Sequence, residues 1–111
     1  MGREYLGEFE LVVLLALARL GESAYGASIH REILEAAGRD VSIPSVYVTL
    51  KRMERKGLVE STLGEGDGAT RRPTRNYRLL ADGRSAIERS RTQLERLWSG
   101  MPHGPIREPG S

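Results

Sequence analysis

The tightest constraint on this chain lies in its middle, in the stretch from Asp40 to Leu58, DVSIPSVYVTLKRMERKGL. Ser42 offers a hydroxyl that accepts a bond from one of the free N–H groups of a first helical turn, and Pro44 follows where proline fits a helix. Gly57 stands where such a helix ends, because glycine adopts the left-handed backbone without steric penalty. Between them Ile43, Val46, Leu50 and Met53 recur at three- and four-residue steps, so they form one stripe that must face a core. The opposite side carries Pro44, Val48, Lys51 and Arg55, flanked by Tyr47 and Arg52. A cationic, hydrogen-bonding and partly apolar face matches what the major groove of DNA presents: phosphates, base edges and thymine methyls. The same residue types also suit a merely solvated surface, so the neighbouring segments must decide.

Glu8 to Leu20 reads as a first helix closed by Gly21. Leu6, Phe9, Val13, Leu17 and Leu20 share one side, while Leu11, Val12, Leu14 and Leu15 spread apolar surface round the rest. A helix apolar on every side is buried on every side; its own small domain or a second subunit must supply the cover. A second helix runs from Ser23 or Ala24 to Ala37, with Ser23 as cap and Tyr25, Ile29, Ile33 and Ala36/Ala37 facing inward. Gly26 is small enough for close helix approach. Gly38 closes this helix, and Arg39–Val41 turn into the central one, as a helix-turn-helix requires. His30, beside Arg31 and Glu32, reads as a solvated surface residue; with Glu32 and Glu35 its spacing is wrong for a helical zinc motif.

Beyond Gly57, Leu58–Leu63 and Arg75–Leu79 form a candidate strand pair. The link between them, from Gly64 to Thr74, is glycine-rich and too long for a tight turn. Gly64, Gly66 and Gly68 lack the strand-to-helix context of a dinucleotide or phosphate loop. Arg71, Arg72, Arg75 and Arg78 cluster late in this segment. Arms of this composition contact the phosphate backbone or enter the adjacent minor groove, or stay solvated. From Ala81 to about Trp98 a helical period returns, with Leu80, Ile87, Leu94 and Leu97/Trp98 at seven-residue spacing and small Gly83 and Ser90 between. Such a narrow stripe suits a helix that pairs with another helix. The Pro/Gly-rich segment 99–111, which contains His103, reads as a disordered tail.

Composition sets the outer bounds. The 111 residues suffice for one small domain. The absence of cysteine removes disulfides and thiolate metal sites. No apolar run approaches the roughly 20 residues of a membrane span, and no signal peptide is visible, so a cytoplasmic protein is expected. The net charge of +2 is uneven: residues 1–38 hold three Arg against six Glu, residues 39–78 nine Lys/Arg against five acids, and residues 79–111 five Arg against four acids. The middle third is therefore the basic one, which suits a polyanionic partner. No convergent set of His and carboxylates and no phosphate loop points to an enzyme, a metal or a cofactor.

Taken together the ordered fragments resemble the PadR family of bacterial transcriptional regulators. The matching pieces are Tyr25-Gly26 with Ile29 and Ile33, Val41 to Tyr47, Leu50 to Val59, Arg71-Arg72-Pro73, Tyr77-Arg78-Leu79 and Gly83-Arg84, in order over roughly residues 5–90. The resemblance implies a mainly α fold with a small β-hairpin wing: a winged helix-turn-helix over residues 1–80 and a dimerisation helix over 81–98. It implies a homodimeric repressor on double-stranded DNA, contacting an inverted-repeat operator through Ser42, Pro44, Ser45, Tyr47, Lys51 and Arg52 and, from the wing, Arg71, Arg72 and Arg75; the outer-face position of Arg55 adds it to the DNA-binding set. Leu11, Leu15, Ile87, Leu94, Leu97 and Trp98 would form the dimer contact. A small hydrophobic or aromatic inducer is a further implication, with Trp98 either stacking on it or simply anchoring the helix end. One departure is Leu80 where the family usually has a capping threonine; leucine cannot cap, which points to Asp82 and a later helix start. A winged helix that binds another protein is the alternative reading.

Overall fold

The computed structural model describes residues 5–64 and 74–102. Four helices and a hairpin follow one another: α1 (Glu8–Leu20), α2 (Gly26–Ala37), α3 (Ile43–Arg55), β1 (Val59–Leu63), β2 (Arg75–Leu79) and α4 (Ala81–Ser99). The two strands pair antiparallel, Val59 opposite Leu79 and Leu63 opposite Arg75. The chain just before α2 joins their edge, where Tyr77 donates its N–H to the Ala24 carbonyl at 2.8 Å and Tyr25 bridges to Asn76. The core lies where α1, α2, α3 and the hairpin meet. Val13, Leu14, Ile29, Val46, Leu50 and Met53 are wholly withdrawn from solvent there.

The glycines at helix ends act as the chain chemistry dictates. Gly21, Gly38 and Gly57 all have positive φ, at 59°, 65° and 77°, where a side chain would be strained. Ser42 caps α3 by accepting from the Ser45 N–H at 3.2 Å. The α2 start differs from expectation. Ser23 closes a short 3-10 turn, Gly21–Ser23, and the helix begins three residues later. Its reciprocal cap is Ser28, whose Oγ accepts from the Tyr25 N–H at 2.9 Å and donates back to the Ser23 carbonyl at 2.7 Å. Ala36 and Ala37 are exposed, because α2 has by then passed the end of the core.

His30 is not simply solvated. It is half-buried and donates from Nε2 to the Val41 carbonyl at 2.7 Å, fixing the turn between α2 and α3. Nor does α4 wait for Asp82. It starts at Ala81 with no side-chain cap; the Leu80 carbonyl accepts from the Arg84 N–H at 3.0 Å, and the Leu80 N–H is taken by the Leu58 carbonyl at 3.0 Å. Asp82 instead lies in the first turn, where its charge complements the helix dipole. Gly83 sits against the Leu58 backbone, and Gly83, Ala86, Ile87 and Ser90 are buried. From residue 91 to 99 every side chain of α4 is exposed. The expected tail lies outside the described residues from 103 onward.

Candidate nucleic-acid interface

The helix-turn-helix presents α3 with a clear division of faces. Val46, Leu50 and Met53 are fully buried and Thr49 nearly so. Ile43, assigned by spacing to the same stripe, is instead 45% exposed. It occupies the first helical position, a turn ahead of where the core begins. It joins Val48, 59% exposed, and Tyr47, 44% exposed, which spacing had already assigned to the outward side, and enlarges the apolar part of that side. Pro44, Lys51 and Arg55 are exposed on that side, and Ser42 and Ser45 crown its N-terminal end, where the Ser45 hydroxyl donates to the Ser42 carbonyl at 2.8 Å. Lys51 and Arg55 make no hydrogen bond or ion pair with any described residue.

Arg52 is placed differently from Lys51. It is half-buried and donates from Nε to Glu10 on α1 at 3.0 Å; Lys56 reaches the same carboxylate oxygen at 3.4 Å. Glu10 also accepts from the Gly7 N–H at 2.8 Å, and its side chain is only 11% exposed. Burial pushes the Glu10 carboxyl up, but the Gly7 N–H, Lys56 and Arg52 together outweigh it and hold the group below the usual carboxylate range. This carboxylate, which the sequence reading left without a role, clamps the back of α3 to α1. The guanidinium of Arg52 keeps its two outer nitrogens available, since Nε alone engages Glu10.

The hairpin is tied to α3 through polar groups. Ser61 Oγ donates to Glu54 at 2.7 Å and accepts from Arg75 Nη1 at 3.1 Å, so Arg75, at the loop end of the hairpin, is linked through Ser61 to the C-terminal end of α3. Arg78 pairs with Glu60 across the strands. Arg71 and Arg72 fall outside the described residues. Tyr77 is buried between these elements; burial, then the Glu54 carboxylate and Tyr47, push its hydroxyl above the usual phenol range.

The residues expected at a dimer contact divide into two groups. Ile87 belongs to the chain's own core, and Leu11 packs half-buried against it. Leu15, Leu94, Leu97 and Trp98 remain exposed, the last two at 69% and 74%. A cleft of about 600 Å³ runs between Tyr5 and the distal half of α4, lined also by Glu88, Arg89, Gln93, Arg96 and Leu97; Trp98 does not line it. Among the described residues no cluster of His, Asp or Glu is arranged to hold a metal, and no helix is long and apolar enough to cross a membrane.

These features agree with known proteins. RosR of H. salinarum matches at a TM-score of 0.67 with 26% identity, over 87% of this chain and 81% of that one. A PadR family transcriptional regulator from Eggerthella lenta matches at 0.66 with 26% identity, over 84% and 81%. A PadR family regulator from hypervirulent Clostridium difficile shares the fold at 0.69 with 21% identity, over 84% and 93%. Among curated proteins none gives a significant match. The family model described as the transcriptional regulator PadR-like family matches residues 13–89. With a winged helix-turn-helix built from those residues and a further helix behind it, this chain belongs to the PadR-like family of transcriptional regulators.

Proposed function

We propose that the protein is a sequence-specific DNA-binding repressor that occupies an inverted-repeat operator as a homodimer. The observation that carries this reading is the outward side of α3. Lys51 and Arg55 are exposed without a partner among the described residues, beside the exposed Pro44, Tyr47 and Val48, while the opposite side is fully buried. A helix so divided offers phosphate-binding cations and methyl-contacting apolar groups together. Ser42 and Ser45 stand at the end that enters the groove, Arg52 reaches the backbone from the flank, and Arg75 with Arg71 and Arg72 follows the adjacent strand. Residues 1–80 form the reading unit and 81–98 the dimerisation helix. Leu94, Leu97 and Trp98 extend beyond the subunit's own core, and burying them requires a second copy. Two such copies place their reader helices about one helical turn of DNA apart. A small hydrophobic or aromatic inducer binding near Trp98 at that contact relieves repression.

Selection of bound duplexes from a random pool, followed by titration of the selected site, tests the reading. An inverted repeat retained in a salt-dependent manner is the expected result. Lys51→Ala and Arg55→Ala should each weaken binding and each lower the slope of log affinity against log salt by about 1.8, because the homodimer loses one cation in each subunit, with the dimer intact. Unchanged affinity in both variants removes α3 from the interface. Retention of a protein partner in place of any duplex would instead favour a winged-helix interaction module.

A further inference from the structure

Gly26 opens α2 with a backbone that does not need glycine, since the positive-φ glycines are Gly21, Gly38 and Gly57. Its reason lies across the helix-turn-helix. A Cβ added at Gly26 would stand 2.1 Å from Tyr47 Cζ, 2.2 Å from its hydroxyl oxygen and 2.5 Å from Cε1. Separations under 3.0 Å are essentially never occupied by real Cβ atoms. The outer end of the Tyr47 ring therefore occupies the space a side chain at position 26 would fill. Glycine is a poor helix residue compared with alanine, so a helix start with ordinary backbone angles gains nothing from it locally. The ring is 44% exposed: one side rests on α2, and the other forms part of the outward face of α3.

We propose that Gly26 is a positioning residue for DNA reading, a side-chain-free socket that holds the Tyr47 ring and hydroxyl at a fixed place on the reader surface. The inference rests on the regulator function proposed above and adds a specific part to it. Tyr47 is the group that meets DNA; Gly26 acts only through it. A ring seated in this way has little rotamer freedom left to lose on binding, which favours affinity for the correct site.

The test is a double-mutant cycle on the selected operator, read as the ratio of operator to scrambled-duplex affinity, with thermal unfolding measured alongside. Gly26→Ala should lower that ratio about tenfold, as expected when each subunit of the dimer loses one weak polar contact. Tyr47→Ala should lower it by a similar factor. In the Tyr47→Ala background, adding Gly26→Ala should leave affinity unchanged within about twofold and should not lower thermal stability, because the obstructing ring is gone. Should Gly26→Ala alone fail to fold, a folded double variant that binds as Tyr47→Ala does still supports the socket. Equal losses from Gly26→Ala with and without the Tyr47 ring overturn it, as does a Gly26→Ala variant that binds like wild type. Wild-type protein that retains no duplex at all overturns the regulator reading along with it, which separates the two failures.

Discussion

Replacing Gly83 with alanine is expected to destabilise the protein, although helix propensity argues for the opposite sign. Gly83 lies in the first turn of α4, where alanine would favour the helix by up to about 1 kcal/mol. An added Cβ would, however, sit 2.2 Å from the Leu58 carbonyl oxygen, 3.1 Å from its carbon and 2.7 Å from Leu79 Cδ1. Ordinary contact begins at 3.4 Å, so the α4 start and the β1 start must part by about 1 Å. Overpacking of this kind costs about 1 to 3 kcal/mol. The separation also stretches the Leu80 N–H to Leu58 carbonyl bond, now 3.0 Å, a loss of about 1 kcal/mol. Offsetting the propensity gain leaves a net destabilisation of about 2 kcal/mol, or a fall in melting temperature of roughly 8 to 12 °C for a domain of this size. Urea and thermal unfolding at one fixed protein concentration measure it, which holds the contribution of the proposed dimer constant. Ser85→Ala, on the exposed side of the same turn, serves as the propensity control and should be neutral or slightly stabilising. A Gly83→Ala protein as stable as wild type, or more so, would refute the claim that α4 is seated directly on the Leu58 backbone.

Other perturbations test other parts of the molecule. Glu10→Gln removes the carboxylate that holds Gly7, Arg52 and Lys56 and should lower stability at neutral pH by about 1 to 3 kcal/mol. Because the Gly7 N–H, Lys56 and Arg52 outweigh burial and hold the Glu10 carboxyl below the usual carboxylate range in the folded state, its contribution is complete above that range and is lost as pH falls through the lower folded value. The Glu10→Gln midpoint should therefore drop less than wild type as pH falls from neutral through the carboxylate range, and parallel midpoint curves would remove the charge from the account. Leu94→Asp with Leu97→Asp should yield a folded monomer in sedimentation equilibrium, since both side chains are exposed in the single chain; a dimer of unchanged affinity would place the contact elsewhere.

Much of the local architecture was legible in the residues. The Ser42 cap, the glycine terminators and the three-four spacing of Val46, Leu50 and Met53 encode α3 within a short window, because capping and periodicity are properties of neighbours in the chain. The α1 and β2 boundaries were readable for the same reason. Residues whose partners lie far away were not. His30 looks like a surface histidine until the α2–α3 turn brings the Val41 carbonyl to it. Ile43 fits the apolar stripe by number yet lies outside it, since the core does not extend to the first turn of α3. Glu10 sits 42 residues from Arg52, and no local pattern announces that pairing.

The sequence by itself determined where the helices stop, where α1 and α3 start, which side of α3 is apolar, and where positive charge concentrates. Only the tertiary structure decided that Arg52 is shared with a buried carboxylate while Lys51 and Arg55 meet no partner among the described residues, and that Gly26 and Gly83 are vacancies needed by another element. The physical reason is range. Hydrogen bonds and steric periods act between residues a turn apart, whereas the value of a missing side chain or a buried charge is set by whatever the packed chain brings against it.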